Sequence, residues 1–498
     1  MIFAFVFSGS GLRTAQDNET VTHYGNQIAP SDLKEYLSII ASDALEGRRT
    51  GTRGQKMAAA FIASQFQESG LTAPQEGSYY QPVDLLSSVP ATVFIRAAGT
   101  RFDNFGEIIY TGSADTGGEV VADLVFAGKG SEEDYAQVDV HDKSVLLLAG
   151  PLGPVGALRT IVQLARTKGA KMVFVVSESS SEEFHAFVGT RKGFFSSGSL
   201  SLKKPEEGTS NKGVFVINQF VAEKLFNITF EKLRQAAEDP KKKFLKKIKP
   251  GKVSYQVAMQ INMLRTENVL GYLEGSDKKD ELVIVTAHYD HIGISGTGED
   301  KINNGADDDG SGTVSVMELA KVFAKAKREG HGPRRSMLFM TVTGEELGLL
   351  GSQYYVEHPV YPLATTVVDL NIDMIGRTDA EHKDSTNYVY VIGSDKLSTE
   401  LHQLSEKTNA TYTKLKFDYT YNDENHPTNL YKRSDHWNFA KNGIPIIFYF
   451  DGIHEDYHRP SDEVSKIDFN LLAKRAQCVF YAAWEIANRE QRLAVDKK

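Results

Sequence analysis

The chain has 498 residues, 41% of them hydrophobic, and a formal net charge of -9. That length allows two to four domains with ample material for buried cores, and the acidic balance argues against a nucleic-acid-binding surface. Cys478 is the only cysteine, which excludes an intrachain disulfide and a thiolate-rich zinc site and leaves it to pack in a C-terminal helix.

Residues 1–7 are apolar and lead into Ser8-Gly9-Ser10-Gly11. The run is short, and Arg13 is the first positive charge, but it reads as the remnant of an export signal within a disordered start at residues 1–20. A periplasmic or secreted location is therefore expected. No later stretch approaches the roughly 20 apolar residues of a membrane span, so no stable membrane insertion is expected.

Residues 21–100 open the main domain. Leu33, Tyr36, Leu37 and Ile40 recur at helical spacing, with Asp32 as the expected cap and Glu35 three residues beyond it. Ala58, Phe61, Ile62 and Phe66 mark a second helix that Gly70 stops, and a glycine-punctuated loop from Asp43 to Thr52 lies between the two. From 101 to 255 the texture changes: strands at 120–126, 145–149 and 172–176 surround a helix at 158–168, which predicts a separate, smaller α/β domain. Its only histidines are His141 and His185, so packing or substrate access is its expected role. Lys241, Lys242, Lys243, Lys246, Lys247, Lys249 and Lys252 read as a solvated segment or linker.

From 256 to 498 predicted strands at 282–287, 337–343, 367–372 and 444–450 alternate with helices. The fold class implied is α/β, a mixed, largely parallel sheet flanked by helices, interrupted by the smaller domain. Val316, Leu319, Ala320 and Phe323 give one helix its apolar stripe, with Glu318 and Lys321 expected on its opposite, solvated face.

Five side chains carry the chemistry: His288, Asp308, Glu346, Asp373 and His458. Two imidazoles and three carboxylates suit divalent zinc, a borderline ion that takes both nitrogen and oxygen. His288, Glu346 and Asp373 each follow a predicted strand, so parallel strands bring them to one carboxyl edge, where open α/β sheets bind ligands. Asp308 and His458 come from loops. Asp308 has the chemistry to bridge two ions roughly 3.5–4 Å apart, one with His288 and Asp373, the other with Glu346 and His458. Glu345, pointing away from its neighbour Glu346 on extended backbone, is the candidate general base. Asp290 is the expected acceptor of the second imidazole proton of His288.

Of the remaining histidines, His291, His331, His358, His382, His402, His426, His436 and His454 are expected on the surface or in the core. No G-x-S-x-G elbow appears, and Ser434-Asp435-His436 cannot act as a triad, because sequence neighbours do not reach that geometry.

In order and local context these residues resemble the co-catalytic zinc aminopeptidases typified by bacterial secreted leucyl aminopeptidases. The resemblance runs from about residue 30 to 485 and includes Leu45-Glu46-Gly47-Arg48. It implies a zinc exopeptidase fold, peptide substrates and two zinc ions per chain on His288, Asp308, Glu346, Asp373 and His458, with Glu345 as the base. Asp308 is singled out because the family's bridging aspartate stands three residues before a serine, here Ser311. By the same resemblance the Asp308–Asp309 peptide is cis, Tyr431 steadies the tetrahedral intermediate, and Arg377 either lines the substrate pocket or forms a salt bridge. Residues 101–255 look like the family's inserted protease-associated domain. A carboxypeptidase of the same fold, a single-zinc glutaminyl cyclase and a binding-only, receptor-like ectodomain are the alternatives, and the oligomeric state is left open.

Overall fold

The computed structural model describes residues 15–151, 156–196, 198–202, 213–295, 298–423 and 425–497; the apolar run at residues 1–7 lies outside them. Two compact units divide the chain, one built from residues up to Asp84 and from Arg265 onward, the other from Leu85–Leu264.

In the first unit the strands lie in the order Lys416–Asp418, Tyr388–Ile392, Ile446–Phe450, Thr366–Ile372, Lys278–His288, Arg335–Val342 and the part of Gly251–Leu273 from Arg265 onward. The four from Ile446–Phe450 to Arg335–Val342 run parallel, and the pairings that flank them are antiparallel. The mixed, largely parallel sheet is as expected. Val283, Val285, Met337 and Phe339 enter the core on one face, where helices supply Phe323, Val479 and Trp484. Leu282, Ile284, Leu338 and Met340 enter a second core on the other face, against Tyr355 and Phe439. Successive strand residues point to opposite faces, so a sheet covered on both needs unbroken apolar runs, which these strands have.

Helices Pro30–Ile40, Arg53–Ser69, Gly312–Arg328 and Phe469–Asn488 belong to the same unit. Gly70 closes the second of them at φ 81°, with its N–H on Gln67 and Phe66 carbonyls. Cys478 is buried within the last. Two local expectations fail. A helix at Ala15–Gly25 precedes the first one expected, which begins at Pro30 behind Ala29, so Asp32 is not its cap; proline at the first helical position presets φ and starts the helix unaided. Asp32 instead accepts a 2.5 Å hydrogen bond from Lys321. Glu318 is fully buried, not solvated, and burial pushes its carboxyl up to about 7 against the pull of Lys321, which lies 3.1 Å away.

The second unit has a sheet in which the part of Gly251–Leu273 up to Leu264 is followed in order by Val120–Phe126, Ser144–Ala149, Met172–Ser177, Val214–Ile217 and Ile108–Thr111. Leu146, Leu148 and Phe174 face one core, and Val145, Leu147 and Val175 face another. The lysine-rich segment is more than a linker: Lys242 lies 2.9 Å from the carboxylate of the fully buried Asp134. No helix among the described residues is long and apolar enough to cross a membrane.

One side chain ties the loops of the first unit together. Fully buried Arg48 donates to the carbonyls of Tyr289 at 2.9 Å, Ile40 at 2.8 Å, Asn304 at 2.5 Å and Gly305 at 3.0 Å. It thereby joins the end of a helix, the end of a strand and the aspartate loop. Gly47 makes the approach possible, because at φ 65° a Cβ there would lie 2.5 Å from the Asn303 carbonyl oxygen. Lysine, a single ammonium, cannot span four carbonyls as the guanidinium fork does. Arg48→Lys is therefore expected to lower stability by about 2–4 kcal/mol, since buried carbonyls lose their donors. The midpoint of urea unfolding at fixed zinc concentration measures this, and an unchanged midpoint would show that the loops hold without the clamp.

Candidate metal centre

The strand Lys278–His288 delivers His288 to the carboxyl edge of the parallel sheet, and Asp373 follows directly after Thr366–Ile372. Gly344, at φ 70°, turns the chain after Arg335–Val342 and presents Glu345 and Glu346. His458 comes from the loop after Ile446–Phe450, at φ 56°, with its ring stacked on Tyr457 at 3.9 Å. The fold brings all five expected ligands together.

Three consecutive aspartates diverge according to what their neighbours offer. Asp307 accepts from the Gly376 N–H at 2.7 Å and contacts His454 at 3.2 Å. Asp309 accepts from the N–H groups of His288 at 3.1 Å, Gly312 at 2.8 Å and Met374 at 3.1 Å. Asp462 accepts from the backbone of Asp307 and Asp308, both at 3.1 Å, and pins the turn. Asp308 alone of the three is left facing two imidazoles: Oδ1 lies 3.2 Å from His288 Nε2 and Oδ2 lies 3.1 Å from His458 Nε2. Its peptide to Asp309 is cis.

The other donors are oriented in the same way. His288 Nδ1 sits 3.0 Å from the Asp290 carbonyl oxygen, which leaves Nε2 facing Asp373 Oδ1 at 3.6 Å and Glu345 Oε2 at 3.9 Å. Ser434 donates to Asp373 Oδ2 at 2.7 Å and accepts from Asn371 at 2.9 Å, turning Oδ1 toward His288. Glu346 Oε2 lies 3.0 Å from His458 Nε2.

Contrary to expectation, the Asp290 side chain does not take the second imidazole proton of His288; its backbone carbonyl does. Its carboxylate stands 3.8 Å from the His288 ring, because the bend after the strand turns the backbone carbonyl and not the side chain toward it. The carboxylate accepts from Thr50 at 2.7 Å and from the Glu345 N–H at 3.1 Å, so it fixes the backbone of the candidate base.

A cavity opens over the site, with His288, Asp308, Glu345 and Asp373 at its floor. Met374, Leu430, Phe448, Phe450, Ile453 and Tyr457 give it apolar walls, and Arg433 adds one cation. Tyr431 is not among the lining residues; its ring packs against Trp437 at 5.6 Å and His436 at 6.0 Å. Arg377 forms a salt bridge to Asp456 at 2.9 Å and does not line the cavity either.

Charge in the site is strongly redistributed. Burial, reinforced by Glu346 and Asp373, raises Glu345 well above the usual carboxylate range. Burial would raise Asp308 too, but His288 and His458 hold it well below. His458 is raised to about 10 by Asp308 and Glu346 against the opposing effect of burial. Yet Asp308 Oδ2 and Glu346 Oε1 accept no hydrogen bond, although imidazole nitrogens stand 3.1 and 2.7 Å away. Buried acceptors of this kind are rarely left orphaned, and here the donors and acceptors converge on shared points instead of on one another.

The nearer nitrogen in that pair belongs to His291, which was not placed in the site from sequence. Buried and three residues after His288, it brings Nδ1 within 2.7 Å of Glu346 Oε1. A third histidine in the loop that follows a ligand-bearing strand was the available signal.

Residues 268–483 match Peptidase family M28. Over its whole length the chain is 25% identical to aminopeptidase YwaD of Bacillus subtilis (strain 168) and covers 95% of that protein. It is 30% identical over 42% of its length to a probable leucine aminopeptidase of Arthroderma benhamiae (strain ATCC MYA-4681 / CBS 112371), of which it covers 55%. Among solved structures, an aminopeptidase from Aneurinibacillus sp. strain AM-1 superposes over 96% of this chain and 98% of its own, with a TM-score of 0.59 at 19% identity. BSAP, a zinc aminopeptidase from Bacillus subtilis, gives a TM-score of 0.54 at 22% identity, over 94% of this chain and 98% of its own. All the converging donors lie within the residues that match this family, 268–483.

Proposed function

We propose that this chain is a zinc-dependent exopeptidase that removes N-terminal residues from peptides. The observation that carries the reading is the set of buried carboxylate oxygens without hydrogen bonds, beside imidazole nitrogens, at one sheet edge. Neutral imidazoles with carboxylates form a donor set suited to zinc. His288, Asp373 and one oxygen of Asp308 would hold one ion, and Glu346, His458 and the other oxygen a second. When bound, such a pair polarises a carbonyl and lowers the pKa of water.

Glu345 faces the cavity with its backbone fixed by Asp290. It takes a proton from the attacking water and passes it to the leaving amine, and its raised pKa suits a group that must give the proton up again. The apolar walls around Phe448 and Phe450 receive the side chain of the residue removed, and the carboxylates of the floor receive its α-ammonium. Relatives named aminopeptidases support the same direction.

The reading makes residues 101–255, which fall within the unit Leu85–Leu264, a protease-associated domain, supported by that unit's separate α/β sheet and cores. It also makes the protein an exported one, supported by the apolar run at residues 1–7. A carboxypeptidase is the second reading, and Arg433 is the observation in its favour, as the one cation among the residues lining the cavity.

Separating catalysis from metal binding tests the roles of the adjacent glutamates. Glu345→Gln is expected to keep its zinc content while turnover falls by several orders of magnitude. Glu346→Gln is expected to lose metal by more than the roughly 10–100-fold that outer-shell changes cost. Equal zinc loss in the two, with Glu345→Gln still active, would refute the division of roles.

Direction is tested on blocked peptides. Acetylating the N-terminus should abolish cleavage, since an amide carries no ammonium for the carboxylate floor, while amidating the C-terminus should change the rate by no more than a few-fold. The reverse pattern would identify a carboxypeptidase anchored by Arg433.

A further inference from the structure

The two halves of the centre are unequal. On one side His288 Nε2 lies 3.2 Å from Asp308 Oδ1 and 3.6 Å from Asp373 Oδ1, and all three residues open onto the cavity. On the other, His458 Nε2 lies 3.0 Å from Glu346 Oε2 and 3.1 Å from Asp308 Oδ2, and His291 Nδ1 lies 2.7 Å from Glu346 Oε1 and 3.9 Å from Asp308 Oδ2. His291 is fully buried, and neither of its ring nitrogens has a hydrogen-bond partner. A neutral imidazole in that position leaves at least one polar atom unpaid for unless something other than a proton joins it to the carboxylates.

The donor spacing indicates what that is. Four ligand atoms around a tetrahedral zinc at about 2.0–2.2 Å stand roughly 3.3–3.6 Å apart. The distances among His291, His458, Glu346 and Asp308 bracket that value from 2.7 to 3.9 Å. Gly305 leaves room for the ring, since a Cβ there would come within 2.6 Å of it.

We propose that His291 Nδ1 is a fourth protein donor to the ion on Asp308, Glu346 and His458, which closes that position and leaves the one on His288, Asp308 and Asp373 open. The proposal rests on the two-ion reading above. Sites with four protein ligands are structural, and sites with three keep a place for water or substrate. One ion is then held tightly and fixes the loops, and the other exchanges and meets the substrate.

Zinc competition against a chelator, with Co(II) replacing zinc for absorption spectra, tests this without reference to activity. The wild-type protein is expected to bind two ions with affinities at least about 100-fold apart, and one equivalent of Co(II) to give a tetrahedral spectrum. His291→Ala, checked for folding by circular dichroism and backed by the smaller change His291→Asn, is expected to abolish the gap and alter that spectrum. An orienting hydrogen bond to Glu346 would cost only about 10–100-fold. A loss confined to that range with an unchanged Co(II) spectrum would reduce His291 to a positioning residue and overturn the proposal, as would equal wild-type affinities. A wild-type total of one ion per chain would remove the two-ion reading itself, and the proposal with it.

Discussion

The structure is organised around the repulsion of carboxylates crowded at one end of a sheet. Asp290, Asp308, Asp309, Asp369, Asp373 and Asp435 are buried, and the side chains of Glu345 and Glu346 are only 11% and 6% exposed. Two such charges 4 Å apart repel by about 4 kcal/mol at an effective dielectric of 20, so they cannot all ionise without positive charge nearby. Part of the load is relieved by protonation: burial pushes Asp309 and Asp369 well up and Asp435 to about 7. Asp308 stays ionised because His288 and His458 face its two oxygens. Arg48 adds a guanidinium that touches only carbonyls yet lies in the field of Asp308, Asp462, Asp290 and Asp309. The proposed divalent ions would take the place of imidazole protons in the same balance.

That balance depends on parallel strands. His288 pairs with Val342 and Thr286 with Asn371, so neighbouring strands end level and their next residues enter one space. An antiparallel partner in the middle would have sent one set of donors to the opposite edge. Loops then add what strands cannot: Asp308 from a turn pinned by Asp462, and His458 from a left-handed position. The sheet supplies level starting points, and the loops supply convergence.

This division explains what was legible in the sequence. Strand ends after apolar runs are local signals, and they marked His288, Glu345, Glu346 and Asp373 without any tertiary information. The Gly70 stop and the Gly312–Arg328 stripe are local in the same sense. What escaped depended on partners far along the chain. Glu318 reads as half of a solvated i, i+3 pair until Asp32, 289 residues away from Lys321, packs over it. Lys242 reads as one charge in a solvated run until Asp134 is folded beneath it. His291 carries one local signal, its place just after a ligand-bearing strand, but only the return of Glu346 beside it gives its ring a purpose. The Asp290 side chain was assigned by spacing alone, and the backbone turn that hands its carbonyl to His288 leaves no trace in residue identity.

The same distinction bears on how a second unit sits inside the first unit's sequence. The chain leaves the first unit after Asp84 and returns at Arg265, and the first-unit segments just before and after those points are held side by side. Thr72 and Tyr272 exchange backbone hydrogen bonds of 2.8 and 3.0 Å, Leu270 donates to the Tyr79 carbonyl at 2.8 Å, and Asn268 donates to Gln81 at 2.9 Å. With its ends already fixed together, an insertion imposes only the slowly growing cost of a longer closed loop, about 0.6 kcal/mol for each doubling of length. Every converging donor, from His288 to His458, lies on the far side of that junction in sequence and within the first unit. The balance of buried charge is therefore set by the first unit's own sheet and loops.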